Sequence, residues 1–440
     1  MRSAFWAELR RSPLRWWLPV LAGMHLIVVS GGFRGWLGVW PRASAEALRP
    51  VVLLGPVLAA GAAWAGARSG LPGVPDRLRG LARAGWVADA AQLASSVVIG
   101  LGGYLAGVVY VAWASFSQAG PGFLWPGYLL LGAAATVACA AIGHVTGRIT
   151  RSRFGAPVAA GAGCLVLMMA FSSLLGLTAQ GDPYFGDPAF SVAPGAIVIR
   201  ALLAFGLAAA AVTVPSLLGR SQWRPARGRW LAGVLAVTAV VAGAALLPAQ
   251  QVLAVRAAPA DPACSATVPR VCVWPEDRPY LKALTALALR ARQLPQGLFR
   301  VPGTFYEQGL RPGTLFPVPS GPVSLSLDGI SLSDGSIWLV ASEMEAAIYA
   351  NTFGSQSCLP QSMSQAAWDK LDRSDLLLTQ WLTTRIYGGA QPPAVSGGPP
   401  GVDPAAISQL AQEPEPAQAA FARDQAKVQA QYDCKLHATN

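Results

Sequence analysis

Seven stretches within the first 250 residues are long, apolar and almost free of charge: 16–31, 50–67, 90–113, 126–146, 157–178, 196–218 and 230–247. A helix rises 1.5 Å per residue, so about 20 such residues cross the ~30 Å of hydrocarbon in a bilayer. Few other features limit a fold so strongly, because lipid admits only helices and closed barrels. The rest of the composition agrees. Only 12% of the chain is charged and 53% is hydrophobic, whereas a soluble domain is about a quarter charged. That leaves too little polar surface to cover a globule in water.

The arginines predict an orientation. Up to position 250 there are 19 arginines, no lysine and 6 acidic residues, against 14 basic and 16 acidic residues after it. Arg2, Arg10, Arg11 and Arg15 precede the first run. Arg68, Arg77, Arg79 and Arg83 separate runs two and three. Arg148, Arg151 and Arg153 separate four and five, and Arg220, Arg224, Arg227 and Arg229 separate six and seven. The opposite side has Arg34, Arg42 and Arg49, with Arg200 just inside the sixth run. The arginine-rich side is the cytoplasmic one. Seven spans then place the N-terminus inside and the C-terminus outside, in a multi-pass protein of the plasma membrane. Clusters of this kind between apolar runs are membrane anchors, so nucleic acid is not an expected partner; the lipid bilayer is. Trp16, Trp17, Trp36, Trp40, Trp64, Trp86, Trp113, Trp125, Trp223 and Trp230 lie at or near run ends, where indole favours the headgroup layer. The first run has a basic flank but no small-residue cleavage site, and reads as a retained span.

The expected architecture is mainly α: an interfacial segment at 1–15, a seven-span helix bundle at 16–247, an Ala- and Pro-rich linker at 248–263, and an extracytoplasmic α+β domain at 264–440. In that last domain, strands are expected at 271–274 and 323–327, the latter with a possible partner at 330–332. Helices are expected at 279–292, from Ser333 or Asp334 to about Asn351, from Ser364 to Tyr387, and over 417–433. Four of the six cysteines, Cys264, Cys272, Cys358 and Cys434, fall in this domain. An oxidising compartment favours two disulfides. Three pairings are possible; Cys264–Cys272 is local and Cys358–Cys434 would tie down the tail, and these are the pairs expected. Cys139 and Cys164 lie in apolar runs and read as space-filling residues.

Motifs that carry chemistry are scarce. No phosphate-binding GxxxxGK[ST] loop occurs; the stretch from Gly143 to Arg148 lacks both spacing and lysine. HExxH and GxSxG are missing too. His25, His144 and His437 are far apart, so no metal site or catalytic triad is expected, nor any cofactor or enzymatic activity. Glu343 and Glu345 sit two apart on a helix and read as a solvated face. Gly103 and Gly107 form a GxxxG that permits close helix approach. Arg200 and Asp187 form a candidate ion pair at a membrane edge.

The stretch 8–16, with Glu8, Arg10, Arg11, Pro13 and Trp16, resembles the interfacial elbow helix of type-2 ABC exporter permeases. The second run, with Gly55, Pro56, Gly61 and Trp64 followed by Arg68, looks like a segment common in such permease-like proteins of actinobacteria. The loop 75–83 stands where that family sets its coupling helix against an ATPase. The resemblance covers about 1–220. It implies a permease subunit that relies on a separate ABC ATP-binding subunit contacted by Arg77, Arg79 and Arg83, and that forms a homodimer or pairs with a second permease. The family's core has six spans with both ends inside, so the seventh span and the outer domain depart from it. The alternative expectation is a non-transporting polytopic protein that anchors an outer sensing or binding domain.

Overall fold

Pro126 and Pro194 each open a long apolar helix, at the position where a missing N–H costs nothing because no intrahelical acceptor precedes it. The computed structural model describes residues 2–31, 34–68, 85–150, 152–170, 186–218, scattered positions within 233–245, 251–295, 297–311, 324–327, 330, 336–353, 364–388 and 403–430. The chain is mainly helical and divides into two units, Met1–Val255 and Arg256–Asn440.

In the first unit α1 spans Arg2–Arg11, and a 3-10 turn over Pro13–Trp17 leads into α2, Leu18–Gly31. Then come α3 Trp40–Leu48, α4 Val51–Arg68, α5 Gly85–Phe116, α6 Pro126–Thr150, α7 Gly155–Ala170 and α8 Pro194–Leu218. Among the described residues, five segments are long and apolar enough to cross a membrane: Leu14–Gly31, Trp40–Arg68, Trp86–Phe116, Pro126–Thr150 and Pro194–Thr213, with Gly155–Met169 as a shorter apolar helix. Six of the seven apolar runs thus correspond to helices. Of the seventh, 230–247, only scattered residues are described, and these are helical.

Small residues set the packing. Helix α4 packs against α6 and α7, α8 against α6, and α2 against α5. At Gly143 and Gly147 of α6, a Cβ would run into the carbonyl oxygens of Ala59 and Ala63 of α4. The two backbones therefore touch, as small residues allow where lipid gives helices no hydrophobic reason to associate. Gly103 and Gly107 act likewise on α5. The first receives Leu21 and the second the ring of His25, residues one turn apart on α2. The GxxxG read from the sequence is therefore a contact within the chain.

One end of this unit is closed by polar contacts that tie α3 and α6 to the loops beside them. Trp40 donates its indole N–H to Gly120 O at 2.9 Å, and Ser44 Oγ accepts from Trp125 N at 2.7 Å. Gly186 N donates to Tyr128 Oη at 3.1 Å; its φ of +93° and the Arg42 Cα 3.0 Å from where its Cβ would lie leave room for glycine alone. At the same end β1 (Phe190–Val192) pairs antiparallel with β2 (Leu253–Val255). Part of the expected linker is thus a strand of the first unit. Trp40, expected in the headgroup layer, is buried here, whereas Trp16 and Trp113 are exposed.

The second unit holds a three-stranded sheet of β3 (Ala263–Cys264), β4 (Arg270–Val273) and β5 (Thr304–Tyr306), with β3 antiparallel and β5 parallel to β4. Around it lie α9 Leu281–Arg292, α10 Trp338–Phe353, α11 Gln365–Tyr387, α12 Pro404–Leu410 and α13 Glu415–Ala430. Ser364 caps α11 by accepting from Ala367 N, and Gly388, at φ +125°, ends it. The face of α11 expected to be apolar is buried at Leu371, Leu378, Trp381 and Leu382, but Trp368 is exposed. Leu325 continues the sheet by donating to Tyr306 O and accepting from Gln308 N. The expected partner at 330–332 lies outside the described residues apart from Ile330.

Candidate functional site

Arg77, Arg79 and Arg83 lie outside the described residues, but both flanks of their loop are described. Arg68, the last residue of α4, pairs with Glu8 of α1 at 3.1 Å. Beyond the loop, Asp89 of α5 is only 4% exposed and meets Arg148 of α6 through Nε–Oδ1 at 3.1 Å and Nη2–Oδ2 at 3.2 Å. Arg148 counted in the sequence as a topology anchor; it also neutralises a buried carboxylate. Arg148→Ala is expected to lower the stability of the first unit by about 2 kcal/mol, read as a fall in Tm in detergent. This is below the usual cost of orphaning a buried charge, because the pair sits near a helix end where water can reach it. Asp89→Asn, which keeps an acceptor, is expected to cost less than half as much.

The opposite end of this unit holds a recess of about 580 Å³ between the ends of α2 and α5. Trp36, Tyr110, Trp113, Phe116 and Phe123 wall it, and the exposed Arg34 lies at its rim. Its size is that of small-molecule sites. Aromatic walls with one cation among the described lining residues suit an apolar body carrying an acidic end. Asp187 and Arg200 are buried at this same end. Asp187 accepts from Ala189 N at 2.7 Å, Arg200 donates to Ala196 O at 3.2 Å, and each has further partners.

In the second unit Cys264 and Cys272 form a disulfide between β3 and β4, at positions that pair in the sheet. Cys358 and Cys434 lie outside the described residues, as does His437. Glu343 is half-buried and Glu345 is 5% exposed, so the expected solvated face is not one. Burial, with Asp375 of α11 and Glu343 adding like charge, pushes the Glu345 carboxyl up to about 8. Glu307 is buried as well, but it accepts from Trp274 N at 2.7 Å.

The sequence reading missed three features here. The Asp89–Arg148 pair needs knowledge of which helices touch. The aromatic recess was visible only as tryptophans at run ends. The carboxylates of α10 looked exposed because nothing in their spacing announces that α11 covers them. No protein-family model, no curated protein and no solved structure matches the chain, so no residue role reaches it from a relative.

Proposed function

We propose that the chain is the membrane-spanning permease subunit of an ABC-type exporter, with a separate ATP-binding subunit docking on the loop between α4 and α5. The observation that carries this reading is the Glu8–Arg68 pair at 3.1 Å. It ties the helix that would lie along the membrane face to the last residue of α4, beside the loop that would receive the ATPase. A push on that loop would reach α1 and α4 together. The recess at the other end would take a substrate leaving with an apolar body and an acidic group. Strand pairing supports the topology behind this reading. Because β2 lies beside β1, the chain leaves and regains one end of the unit between 193 and 253. This supports counting α8 and the run 230–247 as two crossings, seven in all, with the C-terminal unit extracellular.

The test is affinity purification of the detergent-solubilised protein from cells that express a neighbouring ABC ATPase, followed by mass spectrometry. The ATPase should co-purify, and should be lost when Arg77, Arg79 and Arg83 are changed to Glu. A preparation free of ATPase would reject the permease reading in favour of a non-transporting anchor for an outer sensing or binding domain.

A further inference from the structure

Three sulfur atoms converge inside the first unit. Cys139 on α6 and Cys164 on α7 approach to 3.5 Å between their Sγ atoms, and neither is in a disulfide. Met168 lies one turn beyond Cys164 on α7, so both side chains leave the same face. All three residues are buried, at 2%, 1% and 3% exposure. The third wall is Gly55 of α4. A Cβ placed there would lie 2.8 Å from Cys139 Sγ and 2.9 Å from Met168 Sδ. Two of the sulfurs thus border the point where α4 has no side chain, and the third touches Cys139. Cysteine and methionine often fill apolar space. Here Cys139 and Met168, from two helices, face one glycine on a third, and Cys164 lies against Cys139.

We propose that Cys139, Cys164 and Met168 form a site for a monovalent thiophilic cation of the Cu(I) class. Thiolate and thioether are soft donors that select such ions. The charge balance selects the valence. One thiol binds the ion and releases its proton to the bulk water, so thiolate and cation together are neutral, and no electron moves. The second thiol and the thioether donate lone pairs without changing charge. A neutral complex suits an apolar bundle interior, where net charge is costly. A zinc ion would need both thiolates and a fourth ligand to reach its tetrahedral set. The inference stands independently of the exporter reading, since it uses no feature of the loop or the recess.

The test loads the full-length protein with Cu(I) in detergent under ascorbate, which leaves disulfides intact, and then challenges it with a Cu(I) chelator. The wild type should retain one equivalent per chain. The Cys139→Ser, Cys164→Ser double variant should lose it, and Met168→Leu should lose part of it. X-ray absorption at the copper edge of the wild type gives a second readout that needs no variant, and should find a first shell of sulfur only. Equal release from wild type and double variant, a shell of nitrogen or oxygen, or a Cys139–Cys164 disulfide in the purified protein would each overturn the proposal.

Discussion

Gly143→Ala or Gly147→Ala is expected to destabilise the first unit by about 3 kcal/mol, at the upper end for overpacking a well-packed site. At this unit's size that is a fall of roughly 6–12 °C in Tm. The reason is what a new Cβ would meet. At both positions it runs into a main-chain carbonyl of α4, Ala59 O or Ala63 O. A flexible side chain could turn aside; a helix backbone cannot, so α4 and α6 must separate. Because α4 also carries the contact with α7, the loss would spread through the unit. Leucine at either position should abolish the monodisperse protein in detergent. Gly163→Ala is the control, since a Cβ on this residue of α7 meets nothing within 4 Å. It should leave Tm unchanged or raise it slightly, as alanine is the better helix former. If Gly143→Ala melts with the wild type, the seam has been misread.

The second large effect concerns pH. Glu345 sits on α10 with Asp375 facing it from α11 and Glu343 beside it on its own helix, and its carboxyl is pushed up to about 8. In the unfolded chain the same group titrates near the ordinary glutamate value of 4.5. The folded value is the higher one. The stability it allows is therefore complete below about pH 4.5 and is lost progressively as pH rises toward 8. The loss by pH 8 amounts to about 4 kcal/mol. Glu345→Gln keeps the shape and removes the titration. It should leave stability near pH 5 almost unchanged and raise it at pH 8. Hydrogen exchange of the α10 and α11 amides in the full-length protein, corrected for intrinsic exchange rates, reads this unit alone. Equal protection of the wild type at pH 5 and pH 8 would refute the assignment, as would a glutamine variant that keeps the pH slope.

The helices of the first unit were legible because lipid imposes length and polarity on every span. The runs read at 50–67, 126–146 and 196–218 became Val51–Arg68, Pro126–Thr150 and Pro194–Leu218. The run at 90–113 was read short. Helix α5 begins at Gly85 because the polar residues of its first turns are buried within the bundle: Asp89 meets Arg148, and Ser95 and Ser96 bond to Gln92 O. Helix α3 escaped notice because Pro41, Arg42, Ser44 and Glu46 look like a loop. It holds together because Ser44 Oγ donates to Trp40 O and accepts from Trp125 N. The Gly143–Gly147 pair was read against a nucleotide loop and set aside, when its meaning was steric. In the second unit, capping residues such as Ser364 and Gly388 gave helix ends, and the Asp403–Pro404 start of α12 offered the same signal unread. Burial of Glu345 depends on α11 lying across it, which no local pattern carries.

The seven spans proposed above would put the second unit on the face of the membrane opposite the arginine-rich side. A membrane-impermeant maleimide applied to intact cells tests it, with cysteine introduced at two exposed positions, Arg153 and Lys370. Lys370→Cys should label on intact cells, and Arg153→Cys only after permeabilisation. Labelling of both from the same side would contradict the seven-span account.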